Sequence, residues 1–308
     1  MNGIYRYKKN QPANWFHRSK SKSNQYCLYC GRFIGEGSSL ESNKEHLIGK
    51  EFVPTGEFGN GDLFNLIFRA CKECNNEKSD AERHLSSITL FNSPAREDSQ
   101  THNQIAQRKA EKDFHPIKQG VLIKDSGKNF KFTTKFGPSS ASFGLSGPPQ
   151  ADEQCIEFLA YRHVQGIFSL ITSHNPLAAE GTCLLSHKYF HLYGSYGYLD
   201  WGNPQLVKIM DRASEIPCYA NIETANGFFK VIMRRKKGDT GQWFWALEWN
   251  KSLRVVGAIT EPDGFPVIFE GLPSLDWEDV GVHDGERIRI RQEVPLNSEE
   301  DILFSATI

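Results

Sequence analysis

An α+β fold follows from three features of the 308-residue chain. Two long segments space their apolar residues as helices do, a later run alternates them around an Asn-Gly turn, and four cysteines form two Cys-x-x-Cys pairs. With 39% hydrophobic and 24% charged residues, the chain has enough apolar material for one large domain or two smaller ones, which excludes a disordered polypeptide. No stretch approaches the roughly 18 consecutive apolar residues of a spanning helix, and the start lacks the apolar core of a signal peptide. The expectation is a soluble cytoplasmic protein with no membrane partner. Seven cysteines is an odd number, with Cys155, Cys183 and Cys218 scattered singly. That usage suits metal binding in a reducing compartment better than a disulfide framework.

The formal charge of −1 hides an asymmetry. Residues 1–25 hold Arg6, Lys8, Lys9, Arg18, Lys20 and Lys22 without a single acid, interleaved with Tyr5, Tyr7, Trp15 and Phe16. Residues 261–308 set twelve acids against three arginines. The first segment suits phosphate and the last repels it, so Lys8, Lys9, Arg18, Lys20 and Lys22 are candidate nucleic-acid contacts, together with Lys50. The aromatics of the arm can stack on bases or pin the arm to the core.

Residues 71 to about 91 read as a helix, and 94–113 as a polar helix or loop opened by Pro94. Residues 121–136 alternate like a hairpin turning at Asp125 to Lys128. Ten of the thirteen residues from 137 to 149 are Gly, Pro or Ser, which marks a linker. The division expected is a first domain over 1–136, with its core at 27–91, and a second over 150–308. In the second, Ile156, Leu159, Val164, Ile167, Phe168 and Ile171 trace one helical stripe over 152–172, with His163 beside it. Residues 219–225 and 228–234 read as strands joined by a type I′ turn at Asn226-Gly227. Residues 242–249 and 253–259 continue an antiparallel meander, with Trp243, Trp245, Leu247 and Trp249 on one strand face as core.

The chemistry concentrates in the first domain. Cys27 and Cys30 form one knuckle and Cys71 and Cys74 another, so four thiolates can close a tetrahedral Zn²⁺ site that leaves no position for substrate. Such a zinc is structural. Between and beyond the knuckles stand Glu45-His46-Leu47-Ile48-Gly49-Lys50, Asn65, and Asn75-Asn76-Glu77-Lys78. A histidine can deprotonate water near neutral pH. The Glu45 carboxylate and the Asn75 carbonyl are oxygen ligands of the kind that suit Mg²⁺ or Mn²⁺. On a straight strand Glu45 and His46 would face opposite ways.

Over residues 27 to about 91 the sequence resembles the HNH endonuclease family. Its zinc-knuckle members show Cys-x-x-Cys, an acid-His pair, an Asn, and then Cys-x-x-Cys-Asn-x-x-Lys. The resemblance implies a ββα-metal fold in which the acid-His pair lies where a strand turns into a loop. It makes His46 the general base and Glu45 and Asn75 the ligands of the catalytic divalent metal, and it matches Asn65 to the residue that braces the loop. Asn75 then opens the helix, Lys78 reaches a phosphate, and Glu82 buttresses the metal. His84, nine residues past Asn75, falls about half a turn away and is excluded as a ligand. The chain departs from the family in having Glu45 where Asp is frequent and Asn75 where His is frequent. The implied function is a metal-dependent DNA endonuclease leaving 5′-phosphates, in restriction or phage defence. Two alternatives stand beside it: an effector nuclease gated by a ligand or partner protein at the second domain, and a non-catalytic zinc-ribbon DNA-binding module.

Overall fold

The fold is that of a computed structural model, which describes residues 24–58, 67–115, 117–127, 129–147, 149–173, 184–235, 242–262, 264, 266–283 and 286–305. It is α+β, with every sheet antiparallel. Strands β1 (Ser42–His46) and β2 (Ile67–Cys71) pair in a register that sets Ser42 against Cys71 and His46 against Ile67. The second strand runs directly into helix α1 (Lys72–Phe91). Extended Cys71 takes the N-cap position, so Asn75 sits at the end of the first helical turn and does not open the helix.

Helix α2 (Gln100–Lys112) follows a single 3₁₀ turn at Pro94–Arg96 and is capped by the Ser99 hydroxyl, which accepts from the His102 amide at 3.3 Å. The hairpin expected over 121–136 is displaced. Residues Ile123–Asp125 form a short 3₁₀ turn, and β3 (Asn129–Phe136) pairs instead with β4 (Ser139–Ser146). The segment read as a linker thus carries a strand. Its Gly137-Pro138 makes the reversal, with Gly137 at φ 59°, a conformation open to glycine at little cost. Composition read this stretch as a linker and put the hairpin turn earlier; the Ser- and Gly-rich residues after the reversal are instead a strand paired with β3.

Helix α3 (Glu153–Thr172) begins at an Asp152 cap whose carboxylate accepts from the Cys155 amide at 2.9 Å, and it spans the segment that its apolar stripe predicts. The central element is a five-stranded sheet in the order β5-β9-β8-β7-β6, built from β5 (Phe190–Gly197), β6 (Cys218–Thr224), β7 (Phe229–Arg235), β8 (Trp243–Trp249) and β9 (Leu253–Ile259). The turn at Asn226 is longer than a two-residue type I′: Ala225, Asn226 and Gly227 are all left-handed, and the Asn226 amide donates to Glu57 at 2.8 Å. That long-range bond draws the turn away from the tight form.

Strand alternation divides two cores. On one face Trp243, Trp245, Leu247 and Trp249 pack in a cluster that also contains Leu159, Val164 and Phe168 of α3, and Leu28, Leu47, Phe52, Phe68 and Leu85 of the N-terminal region. On the other, Phe244, Ala246 and Val256 meet Leu206, Ile209 and Met210 of helix α4 (Pro204–Ser214). Residues on both sides of the expected 137–149 boundary therefore share one apolar cluster. Asn250, left-handed at φ 53° in the β8–β9 turn, donates to the Phe52 carbonyl at 3.0 Å and to the Thr89 hydroxyl at 2.8 Å. A last hairpin, β10 (Glu278–His283) with β11 (Glu286–Ile290), stands apart from the large sheet. No helix among the described residues is long and apolar enough to cross a membrane.

Candidate metal centre and active-site cleft

The first knuckle is a tight loop closed by the Cys27 amide on the Arg32 carbonyl at 2.9 Å and the Gly31 amide on the Cys27 carbonyl at 2.8 Å, with Gly31 at φ 71°. The second knuckle bridges the end of β2 and the first turn of α1, which puts Cys71 and Cys74 on one side. The ligand atoms of Cys27, Cys30, Cys71 and Cys74 all lie within 4.8 Å of one another, and the Cys30 and Cys71 sulfurs are 3.7 Å apart. A tetrahedral zinc with bonds of about 2.3 Å separates its sulfurs by about 3.8 Å, so the four residues fit that ion. Arg32 donates to Cys30 Sγ at 3.2 Å and to Cys71 Sγ at 3.4 Å, offsetting thiolate charge, and also pairs with Glu73.

The acid-His pair lies at the end of β1, where the strand gives way to the loop. Glu45 faces inward and is 3% exposed. Its Oε1 accepts from the Tyr29 hydroxyl at 3.1 Å and pairs with Lys78 Nζ at 2.8 Å. Lys78, also buried, donates to Glu82 Oε1 at 2.7 Å and to the His46 carbonyl at 3.1 Å. Burial opposes the Lys78 charge, but the carboxylates of Glu82 and Glu45 outweigh it and hold the ammonium above its ordinary value. Burial opposes the Glu82 charge as well, yet Lys78 and His163 hold that carboxyl below its ordinary value. At Glu45 burial prevails over Lys78 and leaves the carboxyl raised. One ammonium thus serves two carboxylates, and Glu45 is the less well compensated.

His46 is half-buried and opens on a cleft of about 270 Å³ that is also lined by Gly49, Lys50, Ser79, Glu82, Arg83 and Lys109. Burial, aided by the charges of Lys44, Lys50 and Lys78, pushes the imidazole down to about 4, so it is neutral at pH 7 and a weaker base than a free imidazole. Lys109 comes from α2, where its ammonium donates to the Glu51 carbonyl at 2.6 Å and to Ser86 at 3.0 Å. The cleft thus sets Lys50, Arg83 and Lys109 beside a neutral histidine, with Glu51 and Glu82 also in its lining, and burial lowers the Lys109 ammonium from its ordinary value.

The structure brings His46 and Lys50 into that cleft and leaves Lys78 beneath it. A lysine with three acceptors around Nζ and 1% exposure has no direction left for a phosphate, so the role expected for Lys78 is corrected to an internal one. Asn75 donates its amide to the Asn43 side chain at 2.6 Å and is not among the residues lining the cleft. Neither oxygen donor expected for Mg²⁺ or Mn²⁺ lines the cleft beside His46: Glu45 is buried with its Oε1 against the Lys78 ammonium, and Asn75 is absent from the lining. Asn65 and the arm residues Lys8, Lys9, Arg18, Lys20 and Lys22 lie outside the described residues. His84 is buried, accepting from the Asp152 amide at 3.1 Å, far from any metal role. Sequence reasoning missed Arg83, one helical turn past Ser79, and Lys109, whose position depends on how α2 packs.

Comparison of the chain with protein-family models, with curated proteins and with solved structures returns no match. What stands on the geometry is a Cys₄ cluster set in β-β-α order, a site able to hold a structural metal such as zinc.

Proposed function

We propose that the chain is a DNA endonuclease of the HNH type that hydrolyses phosphodiester bonds with His46 as general base. The observation supporting this reading is a neutral, half-buried histidine in a cleft bordered by Lys50, Arg83 and Lys109, mounted on a zinc-knuckle ββα unit. In the reaction, His46 takes the proton from an attacking water whose oxygen bonds to phosphorus as the P–O3′ bond breaks, and the leaving 3′-oxygen takes a proton from solvent, which leaves a 5′-phosphate. The cations bind the phosphodiester and stabilise charge as it builds on the non-bridging oxygens. The zinc would fix the fold, since four thiolates leave it no open position.

The test is nicking or linearisation of supercoiled plasmid by the full chain in Mg²⁺, Mn²⁺ or chelator. His46→Ala should keep its zinc and its fold yet cut about 10²- to 10⁴-fold more slowly, the usual cost of losing a general base. Cleavage at the wild-type rate by that folded variant would favour the zinc-ribbon binding module. Comparing modified with unmodified phage DNA then tests the defence reading.

A further inference from the structure

Helix α3 lies outside the segment that carries the knuckles and the Glu45-His46 pair, yet it reaches into that segment at several points. Gln165 Nε2 donates to the Tyr29 carbonyl, inside the first knuckle, at 2.7 Å. Arg162 lies over the Tyr29 ring, 5.2 Å from its centroid. Gly166 permits contact with Leu47, the residue after His46, because a Cβ there would overlap Leu47 Cδ1.

His163 is the least expected of these residues. It is fully buried, ringed by Phe52, Phe229 and Trp249 at centroid distances of 5.7, 5.1 and 5.7 Å, and neither ring nitrogen makes a hydrogen bond within 3.5 Å. An unsatisfied buried polar group is costly, and a phenylalanine would fill such an aromatic socket without that cost. The polar groups near the ring are the Leu47 backbone, Lys78 and the Glu82 carboxylate, whose Oε1 lies 3.6 Å from His163 Nε2. Glu82 Oε1 in turn accepts from the Gly49 amide at 2.8 Å and from Lys78, and Lys78 donates to the His46 carbonyl. The fit at Gly49 is close, since a Cβ there would overlap Glu82 Oε2.

We propose that His163 is a positioning residue for the hydrolysis assigned to His46. Its Nε2, 3.6 Å from Oε1, steers the Glu82 carboxylate electrostatically, and that carboxylate through Lys78 and the Gly49 amide sets the strand end and the loop that aim the His46 ring. The proposal rests on the hydrolase reading of the cleft, but one of its readouts does not depend on cleavage. In the full chain, His163→Phe keeps the aromatic packing and removes both nitrogens, while His163→Gln restores a donor. With His163→Phe, the Gly49 amide should exchange with deuterium at least about tenfold faster. The kcat on DNA should fall about 10- to 100-fold with KM and zinc content unchanged. His163→Gln should recover part of both. Wild-type Gly49 protection in the phenylalanine variant, or lost protection with a wild-type kcat, would overturn the proposal. If the phenylalanine variant does not fold, His163→Met takes its place and the same outcomes decide. If the wild-type chain cuts no DNA, the hydrolase reading falls, and Gly49 exchange alone decides whether His163 holds Glu82 and the loop.

Discussion

Replacing Lys78 tests the buried charge cluster most directly. Lys78→Met keeps most of the aliphatic stem and removes one ammonium from between Glu45 and Glu82, whose side chains are 3% and 10% exposed. Breaking a buried ion pair by removing one partner costs about 3–5 kcal/mol, because the remaining charge stays desolvated. Here two carboxylates are stranded and repel each other, so the upper half of that range is expected. The loss has a predicted pH dependence. Without Lys78 the folded-state carboxyls titrate above their unfolded values, so the folded variant binds protons that the unfolded chain does not. The gap from wild type should therefore be widest at neutral pH and narrow as the pH falls. Urea unfolding followed by fluorescence of the buried Trp243, Trp245 and Trp249 measures it at several pH values, with zinc content checked in parallel. A loss below about 1 kcal/mol with zinc retained, or an equal loss at every pH, would refute the charge argument.

Cys71→Ser should remove a thiolate from the metal cluster, and the variant should lose zinc and the cooperative unfolding of the N-terminal region, read by metal analysis and circular dichroism. Burial pushes His84 down to about 4 from its ordinary 6.5. Its contribution is fully present above pH 6.5 and is lost as the unfolded chain takes up the proton first, the loss reaching about 3 kcal/mol by pH 4. In urea unfolding across that range, His84→Gln should flatten the acid-side fall in stability by that amount. Arg83→Ala and Lys109→Ala should each reduce the salt dependence of DNA affinity by about one unit of slope if they hold phosphates, and leave it unchanged if they do not.

The two Cys-x-x-Cys pairs were legible because metal ligation is a matter of local spacing, and the 152–172 helix because its stripe spans many turns. The tryptophan face of β8 was legible for the same reason, since a period of two survives whatever the strand pairs with. What could not be read locally was anything decided by a distant partner. A lysine three residues past an asparagine on a polar helix looks exposed, and only the closure of β1 over α1 shows that Lys78 is enclosed. The Ser- and Gly-rich stretch at 139–146 has the composition of a tether, and only its alignment with β3 makes it a strand. Lys109 and His163 reach the cleft region from helices that no motif covers.

The Asn250 clasp sets a timetable for synthesis. The Phe52 carbonyl waits for a donor 198 residues later in the chain. At about 5–20 residues per second on the ribosome, that delay is on the order of 10–40 s. Through that interval the N-terminal segment exists without the tryptophan face it packs against, and its knuckles are complete once Cys74 has been made, long before Asn250. Zinc captured early would hold the nascent segment in its native register until the sheet arrives. A shortage of the metal during translation should then lower the yield of folded chain far more than the same shortage imposed afterwards.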